Sequence, residues 1–166
     1  MDFKTNYVKD AANKKMTVTR NFDAPVDQVW TAWTDSKILD QWWAPEPFKA
    51  RTKSMNFTEG GYWHYAMVGP DGMEIWAKIG YKKIVPQKYF TARDSFCDAE
   101  GVTNNDFPNM DWVNTFSKAG DATTVVVEIT FDSEADMEKI MEMGFKEGFE
   151  MAHGNLDKVL KKMVAA

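Results

Sequence analysis

Apolar and polar positions alternate through the middle of the chain, while helical spacing governs segments near both ends. Lys15–Phe22 carries the β-branched residues Thr17, Val18 and Thr19 and predicts a strand. Pro25 suits the first position of a helix, and Val26, Val29, Trp30 and Trp33 follow at helical spacing. Asp35 suits the cap of a second short helix bearing Ile38, Leu39, Trp42 and Trp43, which Pro45 and Pro47 end. Further strands are expected over Ala50–Phe57, Tyr62–Val68, Glu74–Val85, Tyr89–Phe96, Trp112–Lys118 and Thr123–Phe131. Turn residues separate several of them: Gly60-Gly61, Gly69-Pro70-Asp71-Gly72, Pro86-Gln87 and Ala119-Gly120-Asp121. Seven strands joined mostly by short loops predict a meandering antiparallel sheet.

The last part of the chain is helical. Ser133-Glu134-Ala135-Asp136 has the pattern of a capping box, and its acidic residues complement the helix dipole. Gly144 and Gly148 are expected to break or bend this stretch, leaving a short helix and a longer one to about Met163. On the longer helix Phe145, Phe149, Ala152, Leu156, Val159, Leu160 and Met163 form an apolar stripe. Lys146, Glu150, Asp157 and Lys161 occupy the other side, so one face is built to lie on the sheet. Residues 1–14 are polar and are expected to form a flexible N-terminal segment, with a single domain over 15–166. Asp98–Met110 lacks periodicity and is longer than a hairpin needs. It reads either as a surface excursion or as a lid.

Composition sharpens this picture. A chain of 166 residues fits one domain, which at this size buries about 70% of its unfolded surface. Seven Trp, eleven Phe and eleven Met exceed what such a domain needs, and these side chains either fill a core or line an apolar cavity. The net charge of −5 argues against a nucleic-acid partner, which requires a basic surface. Lys158, Lys161 and Lys162 cluster where a helix C-terminus favours cations. Cys97 is alone, so no internal disulfide forms. The N-terminal residues lack an apolar signal region and no run approaches membrane-spanning length. The chain therefore reads as cytoplasmic, without membrane insertion.

Several short motifs follow one another along the chain: Phe22-Asp23-Ala24-Pro25, Val29-Trp30-Thr31-Ala32-Trp33-Thr34-Asp35, and Trp42-Trp43-Ala44-Pro45. Gly60-Gly61, Gly69-Pro70-Asp71-Gly72, Val85-Pro86, Met143-Gly144-Phe145, Gly148 and Asn155-Leu156 continue the series. Together they resemble the family related to the C-terminal domain of the activator of heat-shock-protein-90 ATPase (AHSA-type), within the START-like, or SRPBCC, superfamily. The resemblance implies an α+β helix-grip fold, with two short helices after the first strand. A curved antiparallel sheet of about seven strands would pack on a long C-terminal helix, with a hydrophobic pocket between them. Superfamily members use that space for lipids, polyketides, plant hormones and other apolar molecules. The activator itself binds the chaperone and speeds its ATP hydrolysis, using a motif on a separate N-terminal domain. Met1–Lys15 is too short to stand in for that domain, so the resemblance implies at most a weak chaperone contact.

Candidates for the pocket wall are Trp63, Tyr65 and Met67 on one strand, Trp76 on the next, and Phe90 and Phe96 on a third. Trp112 and Phe116 can close one side, with Phe145, Phe149 and His153 contributed by the last helix. Each of these also suits plain core packing. His64 and His153 can titrate near neutral pH, and the fold brings their elements face to face. The simpler reading turns His64 outward and leaves His153 flanking the helix stripe.

Asp94, Arg93, Glu74, Lys78 and Tyr81 supply polar groups on the sheet, but a bulge near Ile79-Gly80 would reverse which face they occupy. No set of residues has the spacing of a metal site, a phosphate loop or a catalytic triad. The expected function is accordingly non-enzymatic binding of an apolar, aromatic or lipid-like small molecule, with no cofactor, metal or catalytic residue. A chaperone-interacting module and a polyketide cyclase or dehydratase-like enzyme are the alternatives.

Overall fold

The computed structural model describes residues 1–165. Twelve elements follow one another: β1 (Asn6–Asp10), β2 (Lys15–Phe22), α1 (Val26–Thr34), α2 (Ser36–Trp42), β3 (Lys49–Met55), β4 (Tyr62–Val68), β5 (Glu74–Val85), β6 (Tyr89–Cys97), β7 (Met110–Ala119), β8 (Ala122–Phe131), α3 (Glu134–Glu142) and α4 (Phe145–Ala165). The strands form one antiparallel sheet in the order β1-β2-β8-β7-β6-β5-β4-β3. β3 to β8 meander, and β8 returns to pair with β2, which leaves β1 and β3 at the two edges. The helices cover one face, giving the α+β helix grip that the motifs imply.

The sheet has eight strands rather than seven. Asn6–Asp10, expected from its polarity to be part of a flexible segment, pairs along its whole length with β2, from Asn6↔Thr19 to Asp10↔Lys15. Backbone hydrogen bonds at a sheet edge require no apolar side chain, so polarity concealed this strand. Side chains reinforce it: the Tyr7 hydroxyl donates to the Lys146 carbonyl at 2.7 Å, and Lys9 pairs with Glu138. Ahead of β1, the Phe3 carbonyl accepts from buried Arg20 Nε at 2.7 Å.

The helix boundaries follow local chemistry. Pro25 takes the capping position of α1, one residue before the expected place. The Asp35 carboxylate accepts from Lys37 N–H to open α2, and Ser133 Oγ accepts from Asp136 N–H to open α3. Gly144 separates α3 from α4 at a φ of 88°, a left-handed backbone that glycine adopts without steric cost. Gly148, expected to break or bend the helix, lies within α4.

Strand phase is set by where the bulge falls. The β5–β6 register shifts between Tyr81 and Lys83, beyond the expected Ile79-Gly80. Ala77, Ile79 and Tyr81 therefore stay together on the covered face, and all three are buried. On β6 the covered face carries Phe90, Ala92, Asp94 and Phe96, while Arg93 turns to the other side. There Arg93 donates to Asp111 at 2.8 Å and to Asp132 at 3.2 Å.

Candidate functional site

The covered face of the sheet is filled unevenly. Toward β8 and the middle of α4, α1 drives Trp30 and Trp33 into the interior. The Trp30 ring lies 5.1 Å from Phe116, 5.8 Å from Phe90 and 5.9 Å from Phe57. Toward β4 no helix supplies an equivalent plug. A cavity of about 290 Å³ remains there, at the small end of ligand-sized pockets.

Each wall has an identifiable origin. Tyr65 and Met67 come from β4, Ile75 and Ala77 from β5, Asp94 and Phe96 from β6, and Met110 and Trp112 from β7. The end of α2 and the loop after it give Trp43, Pro45 and Phe48. The α3–α4 corner gives Ile140, Met143, Gly144, Phe145, Gly148 and Phe149. Gly148 contributes no side chain to the roof and Ala77 only a methyl group to the floor, which keeps the space open. Met67, Met110 and Met143 are unbranched and deformable, so the wall can adjust to an occupant.

The polar groups in this apolar space are few. Trp43 Nε1 donates to the Tyr65 hydroxyl at 2.8 Å, which leaves the hydroxyl proton free to donate. Trp112 Nε1 is buried without a hydrogen-bond partner. Asp94 is 7% exposed, and burial pushes its carboxyl up to about 7, against the Ser95 backbone hydrogen bond, which lowers it. Burial also raises the Tyr65 and Tyr81 hydroxyls, and the Asp94 charge adds to both shifts. Among the described residues no lysine, arginine or histidine lines the cavity.

Of the eleven residues expected at the wall, Tyr65, Met67, Phe96, Trp112, Phe145 and Phe149 lie around this space. The other five do not. Trp63 stacks on Tyr65 at 4.0 Å and donates from Nε1 to Thr52 Oγ1, so it packs behind the wall. Phe90 and Phe116 belong to the filled half. Trp76 faces outward, 5.0 Å from the His64 ring, because it alternates with Ala77 on β5.

His153 is 1% exposed among Phe22, Trp33 and Phe149, and its Nδ1 lies 3.2 Å from Thr5 Oγ1. Burial, then the Arg20 charge, lowers its pKa to about 3, so it is neutral at ordinary pH. His64 sits on the far face and donates from Nε2 to the Asp98 carbonyl at 3.0 Å. The two histidines, set on elements that face each other, do not meet.

The irregular segment Asp98–Met110 is tied down at both ends. Its first part crosses the outer face, where Lys53 and Lys78 donate to the carbonyls of Ala99 and Gly101 at 2.6 and 2.9 Å. Its second part reaches the cavity's flank. There Phe107 lies 5.2 Å from Phe96 and receives the Lys139 ammonium 5.1 Å above its ring.

Comparison with known proteins agrees with this architecture. The sequence profile of the family described as "Activator of Hsp90 ATPase homolog 1-like protein" matches residues 23–161. The chain belongs to this family. Members and fold relatives of known structure superpose over nearly the whole chain. A protein from Arthrobacter aurescens is 29% identical with a TM-score of 0.89, the match covering 95% of this chain and 91% of that one. A protein from Mycobacterium smegmatis is 27% identical with a TM-score of 0.87, covering 94% and 96% of the two chains. One from Staphylococcus epidermidis is 26% identical with a TM-score of 0.83, covering 95% and 94%. No curated protein matches the sequence.

The family profile opens at Asp23 and closes at Lys161, so it spans both the helices that fill one half of the sheet and the corner that leaves the other half open. Among the described residues no helix is long and apolar enough to cross a membrane.

Proposed function

We propose that this member of the activator-homologue family is a non-enzymatic binding protein for a small apolar or aromatic molecule. The ligand lies between β4–β7 and the first turns of α4. The observation that carries this reading is the cavity of about 290 Å³, walled by seven aromatic side chains and three methionines. Burying a ring-sized apolar ligand there gains roughly 25 cal/mol per Å² of surface removed from water. The aromatic walls offer offset and edge-on contacts of the kind already made by Trp112 and Phe149, 5.6 Å apart. Of Asp94, Arg93, His64 and His153, the groups on which a cyclase-like reading rests, Asp94 alone borders the space; His64 and Arg93 lie on the other face of the sheet and His153 is packed in the core.

Native mass spectrometry against a panel of neutral aromatic and aliphatic compounds tests the reading, with Gly148→Leu as a blocked control. Binding by the native chain and its loss in a folded Gly148→Leu supports the cavity as the site. Equal binding by both, or none by the native chain, removes that support. The family's name motivates a second reading, docking to a chaperone ATPase. An assay of the cognate chaperone's ATP hydrolysis decides it: unchanged turnover at saturating protein ends that reading.

A further inference from the structure

The binding reading leaves one feature of the cavity unused: a carboxyl group with no counter-charge. Asp94 projects from β6 between Ile79 of β5 and Met110 of β7, its register partners, onto an apolar wall. The titratable groups on its face are Tyr65 on β4 and Tyr81 on β5, and Cys97 lies three residues along its own strand on the other face; all of them are acids. Around the same cavity β7 supplies Met110 and Trp112, the end of α2 Trp43, and the α3–α4 corner Ile140, Phe145 and Phe149, none of them ionisable. Arg93, the adjacent cation in sequence, is committed to Asp111 and Asp132 on the opposite face.

A buried carboxylate without a cation is costly, and the cost is removed either by a proton or by a charged partner entering from outside. The surrounding rings favour the second. The electron-rich faces of Trp, Tyr and Phe attract an ammonium group, and a carboxylate among aromatic rings is the arrangement that recognises one.

We propose that Asp94 is the ionic anchor of the cavity, and that the ligand class is amphiphilic amines: an aromatic or short alkyl body carrying one protonated amino group. This rests on the binding reading above and narrows it. The ammonium pairs with the Asp94 carboxylate, the body lies against Trp112, Phe149 and Phe145, and the Tyr65 hydroxyl is free to donate to the same carboxylate or to the ligand. Below about pH 7 Asp94 holds a proton without ligand, and amine binding displaces it. Affinity therefore rises with pH through about 7, as long as the amine stays charged.

Calorimetric titrations of the whole chain with three probes of one shape provide the test: 2-phenylethylamine, 2-phenylethanol and 3-phenylpropanoate. At pH 8.5 the amine is expected to bind at least about tenfold more tightly than the alcohol, with the acid weakest. At pH 6 the amine's advantage shrinks by about tenfold, and buffers of different ionisation enthalpy reveal proton release. In Asp94→Asn the amine and the alcohol bind alike, and the released proton disappears. Alcohol binding with no preference for the amine overturns the anchor and leaves the binding reading standing. Failure of all three probes to bind overturns both. The comparison of probes on the native chain needs no variant, so it decides the matter even where Asp94→Asn does not fold.

Discussion

Two halves of one sheet face, similar in composition, have opposite fates. In the filled half, α1 inserts Trp30 and Trp33, which pack edge-on against Phe90 and Phe116 with ring separations of 5.1 to 5.8 Å. In the open half, Trp43, Trp112, Phe145 and Phe149 stand around a space that no side chain enters. Aromatic richness does not distinguish them. What differs is the covering element: a helix with two inward tryptophans in one case, a loop and a glycine-bearing helix start in the other. A cavity in this fold is thus a property of the roof more than of the floor.

Truncation should expose the contrast most strongly. Trp30→Ala or Phe116→Ala is expected to cost about 3–5 kcal/mol, the loss typical of large rings removed from a packed core. Phe145→Ala, at a half-buried ring beside existing space, is expected to cost only about 1–2 kcal/mol. Guanidinium denaturation of the three variants measures both. Equal losses would mean that the open half is packed as tightly as the other.

Two buried groups that titrate in opposite senses sharpen the comparison through pH. Asp94 in the open half has a folded pKa of about 7, above its unfolded value. Folding binds its proton more tightly, so its contribution to stability falls as pH rises from about 4 to about 7, by about 1.4 kcal/mol per unit at most. His153 in the filled half has a folded pKa of about 3, below its unfolded value. Its contribution runs the other way, rising with pH from about 3 to about 6.5. In the native chain the two slopes oppose one another across mildly acidic pH. Relative to it, Asp94→Asn should lose stability progressively on acidification from about pH 7, whereas His153→Gln should gain it from about pH 6.5 down. Urea midpoints from pH 4 to 8 measure both differences, and parallel curves for all three proteins would contradict the account.

The smallest expected effect lies in the roof. Gly148→Ala places a methyl group 3.5 Å from Pro45 Cγ, an ordinary contact, and removes a glycine from a helix interior. Thermal melts should show a gain of up to about 1 kcal/mol, together with weaker binding of the probes. A gain in stability with no loss of binding would place the ligand elsewhere.

Most of the fold was legible because its signals are local. The Asp35 and Ser133 caps, the glycine break at Gly144 and the alternation along β6 each act within a few residues. β1 was not legible, since an edge strand of polar residues owes its pairing to backbone groups that every sequence carries. At the site, alternation alone separates Trp76 from Ala77. It also groups Asp94 with Phe96 on β6, while the position of the bulge after Tyr81 decides that Ile79 and Tyr81 stay on the covered face. Trp43, Pro45 and Phe48 lie on a loop without periodicity, and Gly148 matters through the side chain it lacks. The inward turn of His153 shows the remaining gap: a histidine beside an apolar stripe gives no sign whether its ring faces water or core.

The seven tryptophans offer the most direct test of an open half beside a filled one. Each carries an indole N–H that nitrogen–proton NMR resolves separately. Titration with 2-phenylethanol is predicted to shift the indoles of Trp43 and Trp112, which border the cavity, and to leave those of Trp30 and Trp76 in place. Shifts centred on Trp30, or none at Trp43 and Trp112 at saturating probe, would contradict it.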